Sequence, residues 1–376
     1  MKALILTISA GGGHHKTAMA VKECIQSQGN EAIIIDTYKY FSKTLSNLVE
    51  KGYLLSTKYT PAFYGKMYEK AVDHDFATSL INPVKLASSI VARQFAKYIA
   101  NHKPDTIICT HVFPAQLVTS FKKKGFINSI LVGVVTDFTV HPFWETTNLD
   151  YYVTCNELLN IQMNKKGIPS SKILPFGIPV ETKFSCKSNK SEARKKIGVK
   201  DKTTIFVIAG SMGYGDMLKH IVALDNLNND FQIICVCGNN RHMKKEIDKT
   251  QFSKDIYCYG FVNNVDELMD ASDFIITKPG GLTVSEALAK ELPLVLINPI
   301  PGQEDRNQIF LTNNGLAVAV NKNLPIDEVV NHLFENKKHL QDMIDMTKLL
   351  GKPNSTKDLC DFVTKQVNIR GDNNER

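Results

Sequence analysis

The sequence predicts an α/β protein made of two doubly wound domains. Three observations carry that prediction. Short β-prone apolar runs alternate with helix-forming segments along the whole chain. Many of these runs end in glycine-bearing turns that open a helix. The chain has 376 residues, too many for one average core, so two domains of about 150–200 residues are expected.

In the first half the strand candidates are 3–9, 32–36, 106–110, 130–136, 151–154 and 172–174. In the second half they are 204–209, 232–236, 256–259, 273–277, 294–297 and 317–320. Such alternation favours parallel sheets covered by helices. The polar, Gly- and Pro-interrupted stretch 177–190 marks the junction. The expected domains are therefore 1–177 and 178–366, with the last helix free to pack back on the first domain. The polar residues 367–376 read as a disordered tail.

Composition narrows the class. Hydrophobic content of 43% and charged content of 22% are those of a soluble globular protein. No run of about 18 apolar residues is present, so no membrane span is expected. The N-terminus alternates like a strand and ends in glycines, which argues for a first strand rather than a signal peptide. The eight cysteines show neither a CxxC pair nor zinc spacing, which fits a reducing, cytoplasmic compartment. Cys109, Cys155, Cys235 and Cys237 lie in apolar strand-like runs, where core packing is expected.

The net charge is +7, with local clusters at Lys122-Lys123-Lys124, Lys165-Lys166 and Arg194-Lys195-Lys196. Solvated faces explain most such clusters; attraction to anionic lipid is the alternative. No nucleic-acid module is visible.

The most informative stretch is 271–288, ASDFIITKPGGLTVSEAL. A short apolar run is broken by Pro279-Gly280-Gly281, and helix formers follow. A helix N-terminus exposes unpaired N–H groups and partial positive charge, which attract phosphate. Adjacent glycines let a diphosphate approach the backbone. Thr283 adds a hydroxyl, Lys278 a charge, and Glu286, one turn in, a carboxylate suited to ribose hydroxyls. The plain alternative is a βα turn with a capping threonine.

Other loops at strand ends in this half add to the pattern. They are Gly210-Ser211-Met212-Gly213, Cys237-Gly238-Asn239-Asn240 and Gly260-Phe261-Val262. The loop from Pro301 to Asn307 carries Gln303 and Glu304, residue types that fix sugar hydroxyls.

In the first half, Gly11-Gly12-Gly13-His14 follows the first strand and precedes a helix expected from about residue 17. It is neither a P-loop, since His15 stands where glycine is needed, nor GxGxxG, whose third glycine falls at Lys16. His14 can orient or deprotonate a hydroxyl near neutral pH. Asp36 ends the second strand, as a ribose ligand or a catalytic carboxylate. Asp137 ends another strand near His141 and Trp144. His111, Asp137 and His141 lack metal-ligand spacing, so no metal site is expected. The stretch 41–70, rich in Tyr, Phe, Leu and Lys, reads equally as a membrane-interface surface or as helices packed on the sheet.

With these residues in view, the chain resembles the processive diacylglycerol glycosyltransferases and monogalactosyldiacylglycerol synthases of glycosyltransferase family 28. The resemblance covers most of the chain. It rests on GGGH at 11–14, VVTDF with His141 and Trp144, GSMG at 210–213, CGNN at 237–240, ITKPGGLTVSEAL at 276–288 and PGQEDRN at 301–307. It implies a GT-B fold, two Rossmann-like domains facing a central cleft. It also implies inverting hexose transfer from UDP-glucose or UDP-galactose to diacylglycerol or its glycolipid, without metal or cofactor. The protein would sit peripherally on the inner face of the cell membrane, against anionic lipid.

Carried over residue by residue, the resemblance implies a donor site of Gly210, Ser211, Met212, Gly213, Lys278, Gly280, Gly281, Leu282, Thr283 and Glu286. The diphosphate would lie on Gly213 and the turn from Gly280 to Thr283, and the ribose on Glu286. Asn239, Phe261 and Val262 would border the uracil, and Gln303 and Glu304 the hexose. On the acceptor side stand Gly12, Gly13, Asp137 and His141, with His14 and Asp36 catalytic: Asp36 as base, assisted by His14. The competing readings are N-acetylglucosaminyl transfer to a polyprenyl-linked precursor and a non-catalytic UDP-sugar sensor. The first is disfavoured because threonine is missing between the glycines and His14.

Overall fold

The computed structural model describes residues 1–8, 12–41, 90–208 and 217–374. Among these, the strands form two parallel six-stranded sheets, one in each half of the chain. In the first, β1 (Lys2–Thr7), β2 (Glu31–Asp36), β3 (Thr106–Cys109), β4 (Ile130–Val134), β5 (Tyr151–Val153) and β6 (Ile173–Leu174) run in the order β2-β1-β3-β4-β5-β6. In the second, β7 (Thr204–Ile208), β8 (Gln232–Val236), β9 (Asp255–Tyr259), β10 (Phe274–Thr277), β11 (Leu294–Leu296) and β12 (Ala317–Ala319) run β12-β11-β10-β7-β8-β9. Every strand expected from sequence is present, with ends within two residues of those expected.

Parallel strands buried on both faces read as continuous apolar runs. β4 (ILVGV), β7 (TIFVI) and β8 (QIICV) are buried at every position. In β1, Ile5 joins the core cluster under the helices Gly13–Ser27 and Ser355–Asn374. Leu4 and Leu6, equally buried, alternate to the opposite face. Trp144 is also core: it is 4% exposed and packs edge-on to Tyr152. Gly133 makes room for it, since a Cβ there would lie 2.7 Å from the indole ring. In the second sheet, Ile205, Val207, Ile233, Phe274 and Ile276 pack with Ile221, Val330 and Leu333 of the helices Met217–Asp225 and Ile326–Glu335.

The chain divides into two compact units. One comprises Met1–Thr182, Pro301–Gln303 and Asn354–Arg376; the other comprises Lys183–Ile300 and Glu304–Pro353. The switch after Thr182 falls inside the expected junction. Residues 354–366 cluster with the first unit, the packing back of the last helix for which the sequence left room. The expected disordered tail is corrected, because the last helix continues to Asn374. Leu359, Cys360 and Val363 are fully buried in the first core, and a buried Leu or Val contributes about 1.5–3 kcal/mol. Val367 packs against the same cluster, and Arg370 donates to Asn128 Oδ1 at 2.6 Å. A polar segment that reads as disorder in isolation is here the outer end of a helix anchored on the core.

In open α/β sheets, ligands bind at the carboxyl ends of strands where the strand order reverses. That point lies between β1 and β3 in the first sheet and between β7 and β10 in the second. Among the described residues no helix is long and apolar enough to cross a membrane.

Candidate active-site residues

In the first unit, the helix Gly13–Ser27 begins four residues before its expected start. Gly12 is its N-cap, with φ of 74°, a conformation that favours glycine. Gly13 and His14 therefore lie in the first turn, beside the carboxyl end of β1. His14 Nδ1 lies 2.8 Å from the Thr110 carbonyl oxygen and 3.0 Å from Thr136 Oγ1. A carbonyl can only accept, so Nδ1 carries the proton. In the neutral ring Nε2 then holds the lone pair. Burial pushes the His14 pKa below its ordinary value, against the opposing pull of Asp137 and the Thr110 bond. The side chain is set up as a neutral base.

Two further histidines are fixed in the opposite tautomer. His111 caps the helix Val112–Lys123, its Nδ1 accepting from the Phe113 N–H at 3.1 Å. His141 caps the turn Pro142–Thr146 in the same way, accepting from Phe143 N–H at 3.1 Å. Each neutral ring thus carries its proton on Nε2 and is a donor there. His111 meets His14 edge to face, with centroids 4.8 Å apart. Burial, with the charges His14 and His141 would carry, holds the His111 pKa well below the usual histidine value.

Asp36 ends β2 in register with Thr7. Its Oδ1 accepts from the Lys39 N–H at 3.0 Å, and Lys39 Nζ lies 3.9 Å from Oδ2. The carboxylate therefore caps the short helix Thr37–Phe41. Asp137 accepts from Gln303 Nε2 at 3.1 and 3.0 Å, Gln303 being among the residues that cluster with the first unit. Among the described residues no group of three His, Cys, Asp or Glu is placed to hold a metal.

In the second unit, β10 runs into Lys278-Pro279-Gly280, and the helix Gly281–Ala289 starts directly after. Its N-cap, Gly280, has no side chain to cap it, and no acidic residue stands in its first turn. Its N-terminal N–H dipoles keep their positive end at the switch point. Leu282 and Thr283 are half-buried in that first turn, and Glu286 is only 5% exposed.

The turn is braced from behind by Asn307, fully buried, whose Nδ2 donates to the Pro279 carbonyl at 3.0 Å. Glu304 Oε2 accepts from the Ile300 N–H at 2.7 Å and lies 3.8 Å from Lys278 Nζ. At the far end of the helix, Lys290 is buried against Asp270 at 2.8 Å. Along the same edge, Asn239 is exposed after β8, and Phe261, after β9, is 57% exposed. Val262 beside it is half-buried. Gly210, Ser211, Met212 and Gly213, and the stretch 41–70 beyond Phe41, lie outside the described residues.

The structure thus brings Lys278, Gly280, Gly281, Thr283, Glu286 and Glu304 to one turn, and sets His14 among Thr110, Thr136 and His111. Sequence reasoning missed the roles of Thr110, Thr136 and Asn307. Asn307 stood in a motif, but nothing in that motif shows that its amide meets a proline carbonyl. The Thr110 contact is made by a backbone oxygen, which no residue type announces.

Residues 14–180 match the monogalactosyldiacylglycerol (MGDG) synthase family, and residues 204–359 match the glycosyltransferase family 28 C-terminal domain. A processive diacylglycerol beta-glucosyltransferase of Bacillus pumilus (strain SAFR-032) is 29% identical over 372 residues, spanning 98% of this chain and 96% of that protein. Among solved structures, MurG of Acinetobacter baumannii is similar with a TM-score of 0.62 and 18% identity, over 97% of this chain and 100% of that one. Anabaena Alr3699/HepE in complex with UDP-glucose has a TM-score of 0.54 at 12% identity, over 99% of this chain and 100% of that one. These two likenesses concern the fold alone.

Proposed function

We propose that this chain, which belongs to the family 28 glycosyltransferases, moves a hexose from a UDP-sugar to diacylglycerol or its glycolipid at a membrane surface. The observation that carries the reading is the helix start at Gly281. Its N-cap is Gly280, which has no side chain to cap it, and it stands at a switch point, with the carboxylate of Glu286 buried one turn in. The name of the Bacillus pumilus relative supports the acceptor and the transfer. The UDP-glucose held by the Anabaena protein supports the donor.

The donor half works as follows. The diphosphate lies on the N–H groups of Gly281, Leu282 and Thr283, with the Thr283 hydroxyl and the Lys278 ammonium adding donors. Glu286 accepts both ribose hydroxyls. Asn239 and Val262 border the uracil, and Phe261 offers an exposed ring face to it. Glu304, with Gln303, fixes hexose hydroxyls. As the C1–oxygen bond breaks, charge grows on the departing UDP, and the fixed dipoles and Lys278 stabilise it without reorganising.

In the acceptor half, His14 Nε2 takes the proton of the lipid hydroxyl as that oxygen attacks C1. The Thr110 carbonyl holds Nδ1–H and stabilises the imidazolium that forms. One direct displacement inverts the configuration at C1. The base role thus falls to His14, while Asp36 acts as a helix cap. Gly12 and Gly13 let the acceptor approach the backbone, and Asp137 and His141 line that side. The net charge of +7 suits peripheral binding to anionic lipid on the inner membrane face.

The test is incubation with radiolabelled UDP-glucose, UDP-galactose and UDP-N-acetylglucosamine, with diacylglycerol vesicles or a polyprenyl-linked acceptor. Label from glucose or galactose should move onto diacylglycerol. Binding with no transfer to any lipid would make the protein a UDP-sugar sensor. Transfer of N-acetylglucosamine to the polyprenyl acceptor alone would reassign the substrate.

A further inference from the structure

Beneath the two loops assigned to the nucleobase lie three thiols. Cys235 and Cys237 share one face of the strand that ends in the Cys237-Gly238-Asn239-Asn240 turn, and Cys258 lies on β9 beside them. The strands are in parallel register with Cys235 opposite Cys258. The Cys237 N–H continues the ladder, donating to the Tyr259 carbonyl at 2.9 Å. Cys237 Sγ lies 3.7 Å from Cys258 Sγ. Cys237 is fully buried, whereas Cys258 is half-buried and so open to a small reagent.

We propose that Cys237 and Cys258 form a reversible disulfide that lowers the affinity of the donor site. The proposal rests on the reading of that site as a UDP site.

The electrostatics favour the pair. Hydrogen bonds from Cys235 and Cys258 push the Cys237 thiol down to about 4, and Lys244 reinforces this while Asp248 opposes it. Thiolate character is what thiol exchange needs. The oxidant is a hydroperoxide. A hydroperoxide entering beside Cys258 meets the Cys237 thiolate 3.7 Å away. The Cys237 sulfur attacks the peroxide oxygen, the O–O bond breaks, and the departing alkoxide or hydroxide is protonated to an alcohol or water. Cys258 sulfur then attacks the Cys237 sulfur. The S–S bond forms, the S–O bond breaks, and the Cys258 proton leaves with the hydroxide as water. Two thiols are oxidised by two electrons and one hydroperoxide is reduced.

A disulfide bond measures about 2.05 Å, so the sulfurs must close by roughly 1.7 Å. Both Cβ atoms stand on hydrogen-bonded strands, so the strain passes to the loops that start beside them. Gly238 follows Cys237 directly, and Gly260 and Phe261 follow Cys258 within three residues. The Lys244 stem and the Gly238 carbonyl lie 3.9 Å from where a Gly260 side chain would stand, so the two loops are neighbours. Asn239 and Phe261, the groups placed against the base, are displaced with them.

The experiment treats the full-length protein with hydrogen peroxide, maps its peptides, and titrates it with UDP before and after dithiothreitol. The expected result is a crosslink joining the Cys237 and Cys258 peptides. UDP affinity should fall by about fivefold or more and recover on reduction. C235S should still form the crosslink; C258S should bind UDP like the reduced protein and ignore peroxide. Oxidation confined to exposed Cys186, or a crosslink that leaves UDP affinity unchanged, overturns the proposal. Should C258S fail to fold, the oxidation and reduction cycle of the unaltered protein decides alone. If the reduced protein does not bind UDP, the donor reading falls, while the peptide map still judges whether the bond forms.

Discussion

His14 Nδ1 donates to the Thr110 carbonyl at 2.8 Å, across the point where the order of the first sheet reverses. That bond fixes which nitrogen carries the proton and leaves Nε2 to do chemistry. Because burial lowers the His14 pKa from the ordinary 6.5, the base is already unprotonated at neutral pH. The rate of transfer should therefore be flat near pH 7 and fall only below 6.5, while UDP binding stays level over the same range. A pH–rate profile checks this, and an acid limb centred above 6.5 contradicts it. His14→Ala should lose about 10²- to 10⁴-fold in rate.

Asp36 offers a second test of the base assignment. As a helix cap it can be replaced by asparagine, which also accepts the Lys39 N–H. Asp36→Ala should cost about 0.5–2 kcal/mol of stability, measured by denaturant unfolding, whereas Asp36→Asn should keep both stability and transfer. An Asn variant that is stable but inactive returns the base role to Asp36.

Glu286 and Asn307 separate ligand contact from support. Glu286→Ala should weaken UDP binding by about 1.5–3 kcal/mol in calorimetry, the scale of hydrogen bonds to a charged group, with little change in folding. Asn307→Ala leaves the Pro279 carbonyl without its donor. It should lower stability by roughly 1–3 kcal/mol and weaken UDP binding by loosening the turn. Equal UDP affinity in the Glu286 variant removes the ribose assignment.

His111 links the fold to pH. Its folded pKa lies well below 6.5, so as pH falls through 6.5 the unfolded chain takes up the proton first. Stability from this group is present above 6.5 and is lost progressively below it. His111→Asn keeps a capping acceptor and cannot titrate, so its stability should fall less steeply between neutral and acid pH. The remaining slope belongs partly to His14. Identical slopes in the two proteins would show that His111 is not buried neutral.

Much of this was legible in the sequence because parallel strands are written locally. Runs such as ILVGV and TIFVI announce burial on both faces, and Pro279-Gly280-Gly281 announces a turn opening a helix. What stayed hidden was long-range. The Asp36 carboxylate looks the same in sequence whether it caps a helix or takes a proton. The stretch after Val367 is polar, yet its place on a helix depends on Leu359, Cys360 and Val363 meeting a core built in the first half of the chain. The tautomers of His14, His111 and His141 depend on backbone groups, which have no letter in the sequence.

Activation of a lipid hydroxyl by His14 against a UDP-sugar is read in UDP release. UDP release is followed with and without diacylglycerol in mixed micelles, for the unaltered protein and for His14→Ala, with chromatography of the lipid. The unaltered protein should give lipid-dependent UDP release and a new glycolipid. The variant should bind UDP equally and release almost none. Release that ignores the lipid, or a variant as active as its parent, would contradict it.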